Sequence, residues 1–161
     1  MEKIMEEKTN VMRILEQKKV PYQPHFYENT GAVGGTYVAL VLGEDPARVF
    51  KTLVTEGKSK QHYVFVIPVE KELDLKKAAK AAGEKSLSML KSKELLPLTG
   101  YIHGGCSPIG MKKFFPTFID CQVEGLETFF FSGGKVGAQV EMAPEDLKKV
   151  IVYKIADVTA E

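Results

Sequence analysis

Residues 50–68 read FKTLVTEGKSKQHYVFVIP, and this stretch decides the fold. Two runs rich in β-branched and aromatic residues, Phe50–Thr55 and His62–Pro68, flank a polar segment that contains a glycine. This pattern predicts two neighbouring strands joined by a turn over residues 56–60. The second run is apolar at successive positions, so both of its faces are expected to be covered. We therefore predict that it forms a central, buried strand of a sheet.

The rest of the chain mixes helical and extended patterns. The opening helix has Val11, Ile14 and Leu15 on one face and is ended by Pro21. Further helices are predicted at 36–42, from Asp45-Pro46, at 74–82, 86–91 and 92–96 and from Pro144, and further strands at 22–27, 118–123, 128–131, 138–142 and 152–155. Because strands and helices do not alternate as βαβ units, we predict an α+β fold. One compact domain over residues 1–161 would contain a curved, mixed, barrel-like sheet flanked by helices.

The composition excludes several classes of protein. The chain has 161 residues, 44% of them hydrophobic, and a net charge of +1. These values fit a globular protein, and neither a disordered chain nor one coated with positive charge. The charged N-terminus is unlike a signal peptide, and no apolar run is long enough to span a membrane. Cys106 and Cys121 lack zinc-site spacing and are too few for a disulfide framework, so we expect a cytoplasmic protein.

Lys51 is unusual because it lies inside the first apolar run. Strand alternation places it on the same face as Leu53 and Thr55. Lysines are mostly exposed, so one interpretation is the solvated face of an edge strand. The alternative is a partly enclosed cation that holds a phosphate or a carbonyl oxygen. The strand pattern alone favours the first interpretation.

Residues 99–113, TGYIHGGCSPIGMKK, are the densest run of glycine and small polar residues in the chain. Glycines let the backbone approach a ligand closely and turn N–H groups toward an oxyanion or a phosphate. The run is not a Walker A loop, because Met111 separates Gly110 from Lys112 and no Ser or Thr follows. It is therefore either a ligand cradle or a tight connecting loop.

Two shorter features would add to a binding surface. Gly133-Gly134 lies between two predicted strands and indicates a hairpin, with Ser132 as a hydrogen-bonding wall of a pocket. Several lysines would form a phosphate-binding surface if they gather on one side of the molecule, and are otherwise a solvated face. They are Lys76, Lys77, Lys80, Lys85, Lys91, Lys93, Lys112 and Lys113.

Conventional catalytic arrangements are poorly represented. His25, His62 and His103 have no metal-type spacing, so no metal site is predicted, and the G-x-S-x-G nucleophile elbow is absent. Cys106 lies three residues after His103 in a loop, which is not a dyad geometry, and we interpret it as a packing residue. Paired carboxylates are not evident, because the candidates are expected to be exposed: Glu124, Glu127 and Glu141.

Five motifs, in this order, resemble those of the YbaK family of Cys-tRNA(Pro) deacylases. They are FKTL at 50–53, LKKAAK at 75–80, the glycine-rich run at 99–113, SGGK at 132–135 and APEDL at 143–147. The resemblance extends from about Asn10 to Val158 and includes the related editing domain of bacterial prolyl-tRNA synthetases. It implies a compact α+β domain with a mixed, barrel-like sheet. It also implies hydrolysis of the ester between an amino acid and the 3′ end of tRNA.

The resemblance implies roles for particular residues. Lys51 matches the family's most important pocket residue, and five positions match others that line the pocket: Tyr27, Thr52, Gly104, Gly105 and Ser132. Backbone N–H groups around Gly104 and Gly105 would form an oxyanion hole. The thiol of a cysteine substrate would attack its own carbonyl, so that no protein nucleophile, metal or cofactor is implied. Prolyl-tRNA synthetase is the expected partner that delivers the aminoacylated tRNA.

Two departures from the family pattern concern the amino acid that is removed. Residues 29–40 replace an acidic, alanine-rich helix start, and Gln139 stands where a relative carries Asp. Cysteine is favoured by the match over the whole chain, while alanine and proline esters remain open. Two other functions also remain open: a module that binds the tRNA end or a synthetase without hydrolysis, and an enzyme that uses the Cys106 thiol.

Overall fold

Residues 7–28 and 35–161 are described by a computed structural model, and within them the chain forms five α-helices and eight strands. The helices are α1 (Asn10–Gln17), α2 (Gly35–Leu42), α3 (Leu75–Ala82), α4 (Ser92–Thr99) and α5 (Pro144–Leu147). The strands are β1 (Gln23–Phe26), β2 (Phe50–Gly57), β3 (His62–Pro68), β4 (Leu87–Met89), β5 (Thr117–Asp120), β6 (Phe129–Ser132), β7 (Ala138–Met142) and β8 (Lys154–Ala156). Short 3₁₀ turns occupy Pro46–Arg48 and Cys121–Val123. The predicted α+β class is confirmed.

The larger sheet has the strand order β4-β2-β3-β5-β8. Strand β2 pairs antiparallel with β3, from Phe50 opposite Pro68 to Glu56 opposite His62. Strands β3, β5 and β8 run parallel to one another. Residues 63–67 of β3 are buried, and four of these five side chains are fully inaccessible. The prediction that this apolar run forms a central strand is therefore confirmed.

The smaller sheet is antiparallel, with the order β1-β7-β6. Strands β6 and β7 form the predicted hairpin, in which Gly133 N–H donates to the Ala138 carbonyl at 2.8 Å and Gly134 has a φ of +103°. A single bridge between Val49 and Phe130 joins the two sheets. The Val49 N–H already donates to the Pro46 carbonyl, and its carbonyl accepts from Val69. Pairing between the sheets stops at this one bridge, so the described chain has two sheets instead of one barrel-like sheet.

The ends of α3 follow the sequence signals, whereas α1 ends at Gln17, four residues before Pro21. Thr9 caps α1 by accepting a hydrogen bond from the Met12 N–H at 3.2 Å. Asp74 caps α3 by accepting from the N–H groups of the first turn, and Gly83 ends that helix with a φ of +75°. Such a left-handed residue is typical of a helix end, and glycine adopts it without steric cost.

The predicted helix over residues 86–91 is wrong, because Leu87–Met89 is strand β4. It pairs antiparallel with Thr55–Gly57 of β2, where a free sheet edge supplies hydrogen-bond partners. Leu87 is buried, whereas the next two side chains are exposed. Tertiary pairing therefore overrides a local pattern that also suits a helix.

Two hydrophobic clusters cover the two faces of the larger sheet. One contains buried residues of α1, both sheets and the glycine-rich run, and the rings of Phe50 and Phe129 meet edge to face there at 5.2 Å. The other lies between the sheet and α3, where Phe65 and Phe118 stack at 5.3 Å. Among the described residues, no helix is both long and apolar enough to cross a membrane.

Candidate active site

Lys51 is the second residue of β2, and its side chain is partly buried. The ammonium nitrogen donates a hydrogen bond to the Val69 carbonyl oxygen at 3.4 Å. Burial lowers the pKa of Lys51 below its ordinary value, and attraction to Glu72 offsets part of this effect. Lys51 is therefore neither a freely solvated surface lysine nor part of a salt bridge within the described residues.

A cavity of about 310 Å³ opens beside Lys51. Five of the six predicted site residues line it, and they come from β2, the end of β1, the glycine-rich run and the end of β6: Tyr27, Lys51, Thr52, Gly104 and Ser132. The remaining lining residues described are Val38, Val49, Phe50, Leu53, Val69, Leu95, His103, Cys106, Val136 and Gln139. The fold therefore brings residues far apart in sequence to one cavity of a size typical for small ligands.

Gly105 is the predicted site residue that the structure places elsewhere. It is buried but does not line the cavity, and its N–H donates to the Ile102 carbonyl at 3.0 Å, so it is not free to form an oxyanion hole. A Cβ at this position would lie 3.0 Å from the Lys135 Cα and 3.1 Å from the Val136 nitrogen. Gly105 therefore allows the glycine-rich run to pack against the β6–β7 hairpin, and Gly104 is the glycine that faces the cavity.

The glycine-rich run is held by contacts within itself. Tyr101 donates its hydroxyl to the Ile109 carbonyl, and the Lys112 N–H donates to the Thr99 carbonyl at 3.1 Å. Gly110 has a φ of +80°, and a Cβ there would lie 2.9 Å from the Tyr101 hydroxyl. The run is consequently a fixed wall with a defined conformation.

Two buried polar atoms of the cavity wall have no hydrogen-bond partner in the described part of the chain. They are the Thr52 hydroxyl oxygen and the Gln139 side-chain carbonyl oxygen. Gln139 lies opposite Ser132 in the β6–β7 register and is 5% exposed. An unpaired buried polar group costs about 1–3 kcal/mol, so its survival in a folded protein calls for an explanation. Both residues line the cavity, but the two oxygen atoms themselves are almost inaccessible to solvent.

The cavity has a simple charge pattern. Lys51 is the only Lys, Arg, Asp or Glu among its described lining residues. Burial raises the pKa of the Cys106 thiol to about 12, and this effect outweighs the hydrogen bond with Thr99. Cys106 is therefore a neutral thiol near neutral pH. The described wall presents one cation and several neutral polar groups to a ligand.

Sequence reasoning missed some wall residues and misplaced one carboxylate. His103 and Leu95 line the cavity but were not predicted to do so. The position of His103 next to Gly104 was the only feature of the sequence that could have indicated its place in the site. Val38 from α2 also lines it, whereas residues 29–34 of the atypical 29–40 segment lie outside the described residues. Glu141, expected to be exposed, has a side chain that is only 20% exposed.

Glu141 belongs to a polar cluster that joins β7 to β1 and to the segment before β2. Its carboxylate accepts from the Thr128 hydroxyl at 2.6 Å and from Arg48 at 3.2 Å, and it contacts His25 Nε2 at 2.9 Å. Burial alone would raise the pKa of Glu141. The hydrogen bonds and charges of these three partners together lower it by more, so the pKa lies below its ordinary value. The cluster is a structural crosslink between the smaller sheet and the segment before β2.

A second acidic cluster lies at the end of β5. Ligand-type atoms of Asp120, Cys121 and Asp157 lie within 4.8 Å of one another. Asp120 accepts hydrogen bonds from the Val158 and Gln122 N–H groups, and Asp157 forms an ion pair with Lys77. These contacts fix the C-terminal segment to the sheet, and they account for the acidic groups as structural elements.

Comparisons with known proteins identify the family of this chain. A family model of the aminoacyl-tRNA editing domain matches residues 36–150. The chain is 45% identical over 157 residues to the "Putative Cys-tRNA(Pro)/Cys-tRNA(Cys) deacylase EbsC" of Enterococcus faecalis, and the match covers 97% of this chain and 96% of the relative.

Solved structures share the fold. A structure described as "a putative trans-editing enzyme for prolyl tRNA synthetase" has a TM-score of 0.79 and 22% identity, over 95% of this chain and 99% of that one. A hypothetical protein has a TM-score of 0.85 and 22% identity, over 93% and 99% of the two chains. The family resemblance deduced from the five sequence motifs is confirmed by the family match and the curated relative. The chain belongs to the family of aminoacyl-tRNA editing domains.

Proposed function

We propose that this protein is an aminoacyl-tRNA deacylase that removes cysteine from wrongly charged tRNA(Pro). Membership of the editing-domain family and the similarity to the Enterococcus faecalis relative support the reaction class. The observation that carries the proposal is the cavity itself, which is lined by one partly buried cation, Lys51, and by neutral polar residues. Its volume of about 310 Å³ equals that of about ten water molecules and suits a small aminoacyl group.

Lys51 acts in this proposal as a cation that binds and polarises the ester carbonyl oxygen. One of its N–H groups is directed to Val69, which leaves the others for a ligand. Negative charge develops on the carbonyl oxygen as the ester is attacked, and a fixed donor stabilises it more strongly than mobile water does. Removing a single donor of this kind typically costs about 10²–10³ in rate. The Gly104 backbone lies on the same wall and can supply a second contact.

The nucleophile is the thiol of the substrate cysteine. Its sulfur attacks the ester carbonyl carbon, the bond from that carbon to the ribose oxygen breaks, and the proton lost by the thiol is returned to the ribose oxygen. Water then opens the cyclic thioester to free cysteine. Cys106 is kept neutral by burial, and the Ser132 hydroxyl oxygen already accepts the Gly134 N–H at 3.1 Å. The wall supplies positioning, which brings intramolecular reactants to very high effective concentrations.

The partner and the cellular location follow from this chemistry. The substrate is an aminoacylated tRNA, and prolyl-tRNA synthetase is the enzyme that forms the wrong ester. We therefore place the reaction in the cytoplasm, with the synthetase as the source of the substrate.

A deacylation panel tests this function. Purified protein is incubated with tRNA(Pro) charged with cysteine, alanine or proline, and loss of labelled amino acid is measured above spontaneous hydrolysis. We expect release of cysteine and little release of the two amino acids that lack a thiol. Equal release of alanine would contradict the thiol-assisted step. Binding of charged tRNA without loss of any ester would instead identify a non-catalytic binding module.

A further inference from the structure

A second cleft, of about 250 Å³, lies on the other side of the glycine-rich run. Its described lining residues are Pro108, Gly110, Met111, Lys112, Lys113, Phe114, Phe115, Thr117, Ile151 and Val152. One wall is therefore the segment that leads into β5, and the other is the segment that leads into β8. Five of these residues belong to the glycine-rich motif at 99–113, but the proposed deacylation chemistry does not use this cleft.

The cleft combines exposed apolar groups with unpaired positive charge. Phe114 is 72% exposed and Val152 is 71% exposed, which is unusual for two large apolar side chains at one site. Lys112 and Lys113 are both exposed, and neither forms an ion pair within residues 7–28 and 35–161. The described lining contains no Asp or Glu. An exposed ring beside two lysines is the composition of a surface that stacks a base and neutralises phosphates.

The cleft and the Lys51 cavity are lined by neighbouring segments of the glycine-rich run. Gly104 and Cys106 line the cavity, whereas Pro108 lines the cleft. Two residues of extended chain span at most about 7 Å, so Pro108 lies within that distance of Cys106. A tRNA whose 3′ end occupies the cavity continues as a polyanion, and its next phosphates must leave across the neighbouring surface.

The cationic wall is also held in place. The Lys112 N–H donates to the Thr99 carbonyl at 3.1 Å, and the Lys112 side-chain carbons lie over Gly100, where a Cβ would meet Cγ at 3.4 Å. Fixing a binding group before the ligand arrives reduces the entropy lost on association. The lysines are therefore displayed on a defined backbone and not on a free loop.

We propose that this cleft binds the RNA strand that leads to the aminoacylated end of the tRNA. Lys112 and Lys113 neutralise backbone phosphates, and the ring of Phe114 stacks on a base. The identification of the RNA as tRNA rests on the proposed deacylase function. Single-stranded RNA at the acceptor end has bases that are free to stack, which a duplex does not offer.

The charge contribution is tested with a paired variant and a matched control. Lys112→Gln with Lys113→Gln removes two charges and retains the side-chain stems. The control, Lys58→Gln with Lys85→Gln, removes two exposed charges beside β4, at the opposite edge of the same sheet. Affinity for uncharged tRNA(Pro) transcript is measured by fluorescence anisotropy over a series of salt concentrations.

We expect the Lys112 and Lys113 pair to weaken binding by about tenfold at moderate salt. The slope of log affinity against log salt should fall by about 1.5, because each phosphate contact contributes about 0.7–0.9. The control pair should change the affinity by less than about twofold. Phe114→Ala should weaken binding by at least about fivefold without changing the slope, since stacking contributes about 1–3 kcal/mol per base. Phe114→Tyr should retain the affinity.

Three results would overturn the proposal: wild-type affinity in the Lys112 and Lys113 pair, an equal loss in the control pair, or retained tRNA affinity with lost binding to prolyl-tRNA synthetase. The last would make the cleft a protein-docking surface. Failure of the proposed deacylase function would appear differently. Wild-type protein would then release no amino acid from charged tRNA, while the binding comparison would still decide whether the cleft holds RNA.

Discussion

The ammonium nitrogen of Lys51 lies 3.4 Å from the carbonyl oxygen of Val69, across the start of the β2–β3 ladder. Lys51 pairs with Ile67 in that ladder, and Val69 follows directly after β3. The contact orients the cation along the cavity wall without neutralising it. A carboxylate in the place of the Val69 carbonyl would form an ion pair with Lys51. The ammonium group would then be less available to a substrate oxygen. The geometry therefore leaves a partly desolvated cation, whose lowered pKa records the cost of burying it.

Replacing Lys51 by methionine is expected to stabilise the protein. Methionine fills a similar volume without a charge, and the free energy of unfolding should rise by about 1 kcal/mol, or the melting temperature by about 2–4 °C.

The stability difference should depend on pH. The folded-state pKa of Lys51 is lowered, so the unfolded state binds the proton more tightly between that pKa and about 10.4. The free energy of unfolding of the wild type should therefore increase as the pH rises through that window because of Lys51. The methionine variant should not show this increase. Denaturant titrations of both proteins at pH 7 and pH 10 measure this difference, and a less stable methionine variant at pH 7 would contradict it.

Thr52 and Thr55 provide a matched pair on strand β2. The Thr55 hydroxyl donates to the Tyr63 carbonyl at 3.1 Å, whereas the buried Thr52 hydroxyl has no partner in the described chain. Thr55→Val should therefore destabilise the fold by about 1 kcal/mol, while Thr52→Val should be neutral or stabilising. Equal losses of stability in both variants, measured by urea unfolding, would show that Thr52 is paired in solution.

Cys106 should be dispensable for catalysis. Its pKa is raised to about 12 by burial, which leaves almost no thiolate at pH 7 to 8. We expect Cys106→Ala to retain deacylation activity within about threefold of wild type. An alkylating reagent should modify the less buried Cys121 first, as peptide mass analysis would reveal. Loss of activity by 100-fold or more in a folded Cys106→Ala variant would instead support a thiol enzyme.

Glu141 should contribute strongly to stability. Glu141→Gln weakens charge-assisted contacts with Thr128, Arg48 and His25, and should cost about 2 kcal/mol, or about 4–8 °C in melting temperature. Glu124→Gln, at an exposed position, is the control and should change stability little.

The pH dependence of the Glu141 effect has a fixed sign. Because the folded-state pKa of Glu141 is lowered, its contribution is present above the ordinary value of 4.5 and is lost as pH falls through the folded-state pKa. The difference between the wild type and Glu141→Gln in thermal melts should therefore shrink below about pH 4. A difference that stays constant down to pH 2 would contradict the assigned contacts.

The sequence predicted the fold where local pattern and burial agree. The run 63–67 is apolar on both faces, and the capping residues Asp74 and Thr9 are placed where helices begin. The failures lie where a distant element decides. Leu87–Met89 becomes a strand because β2 offers an open edge, and the division into two sheets depends on how they meet at the single Val49–Phe130 bridge.

The candidate site was accessible to sequence reasoning only in part. The residues that accompany Lys51 in the pocket were predicted from the family resemblance. Strand alternation alone favoured an exposed lysine. No local pattern indicated that the Gly105 N–H donates to the Ile102 carbonyl, or that the Gln139 side-chain carbonyl oxygen has no partner among the described residues. Those properties depend on how the hairpin and the glycine-rich run meet in three dimensions. The role of Phe114 likewise depends on its exposure, which its apolar character does not predict.

The most direct measurement is the single-turnover rate of Cys-tRNA(Pro) deacylation by wild type, Lys51→Met and Lys51→Arg, with folding of each protein verified by thermal melting. We expect Lys51→Met to lose about 10²–10³ in rate while it stays folded, as the loss of a charge-stabilising donor requires. Lys51→Arg keeps a cation and should retain part of the activity. A folded Lys51→Met variant that releases cysteine as fast as wild type would contradict a cavity centred on Lys51.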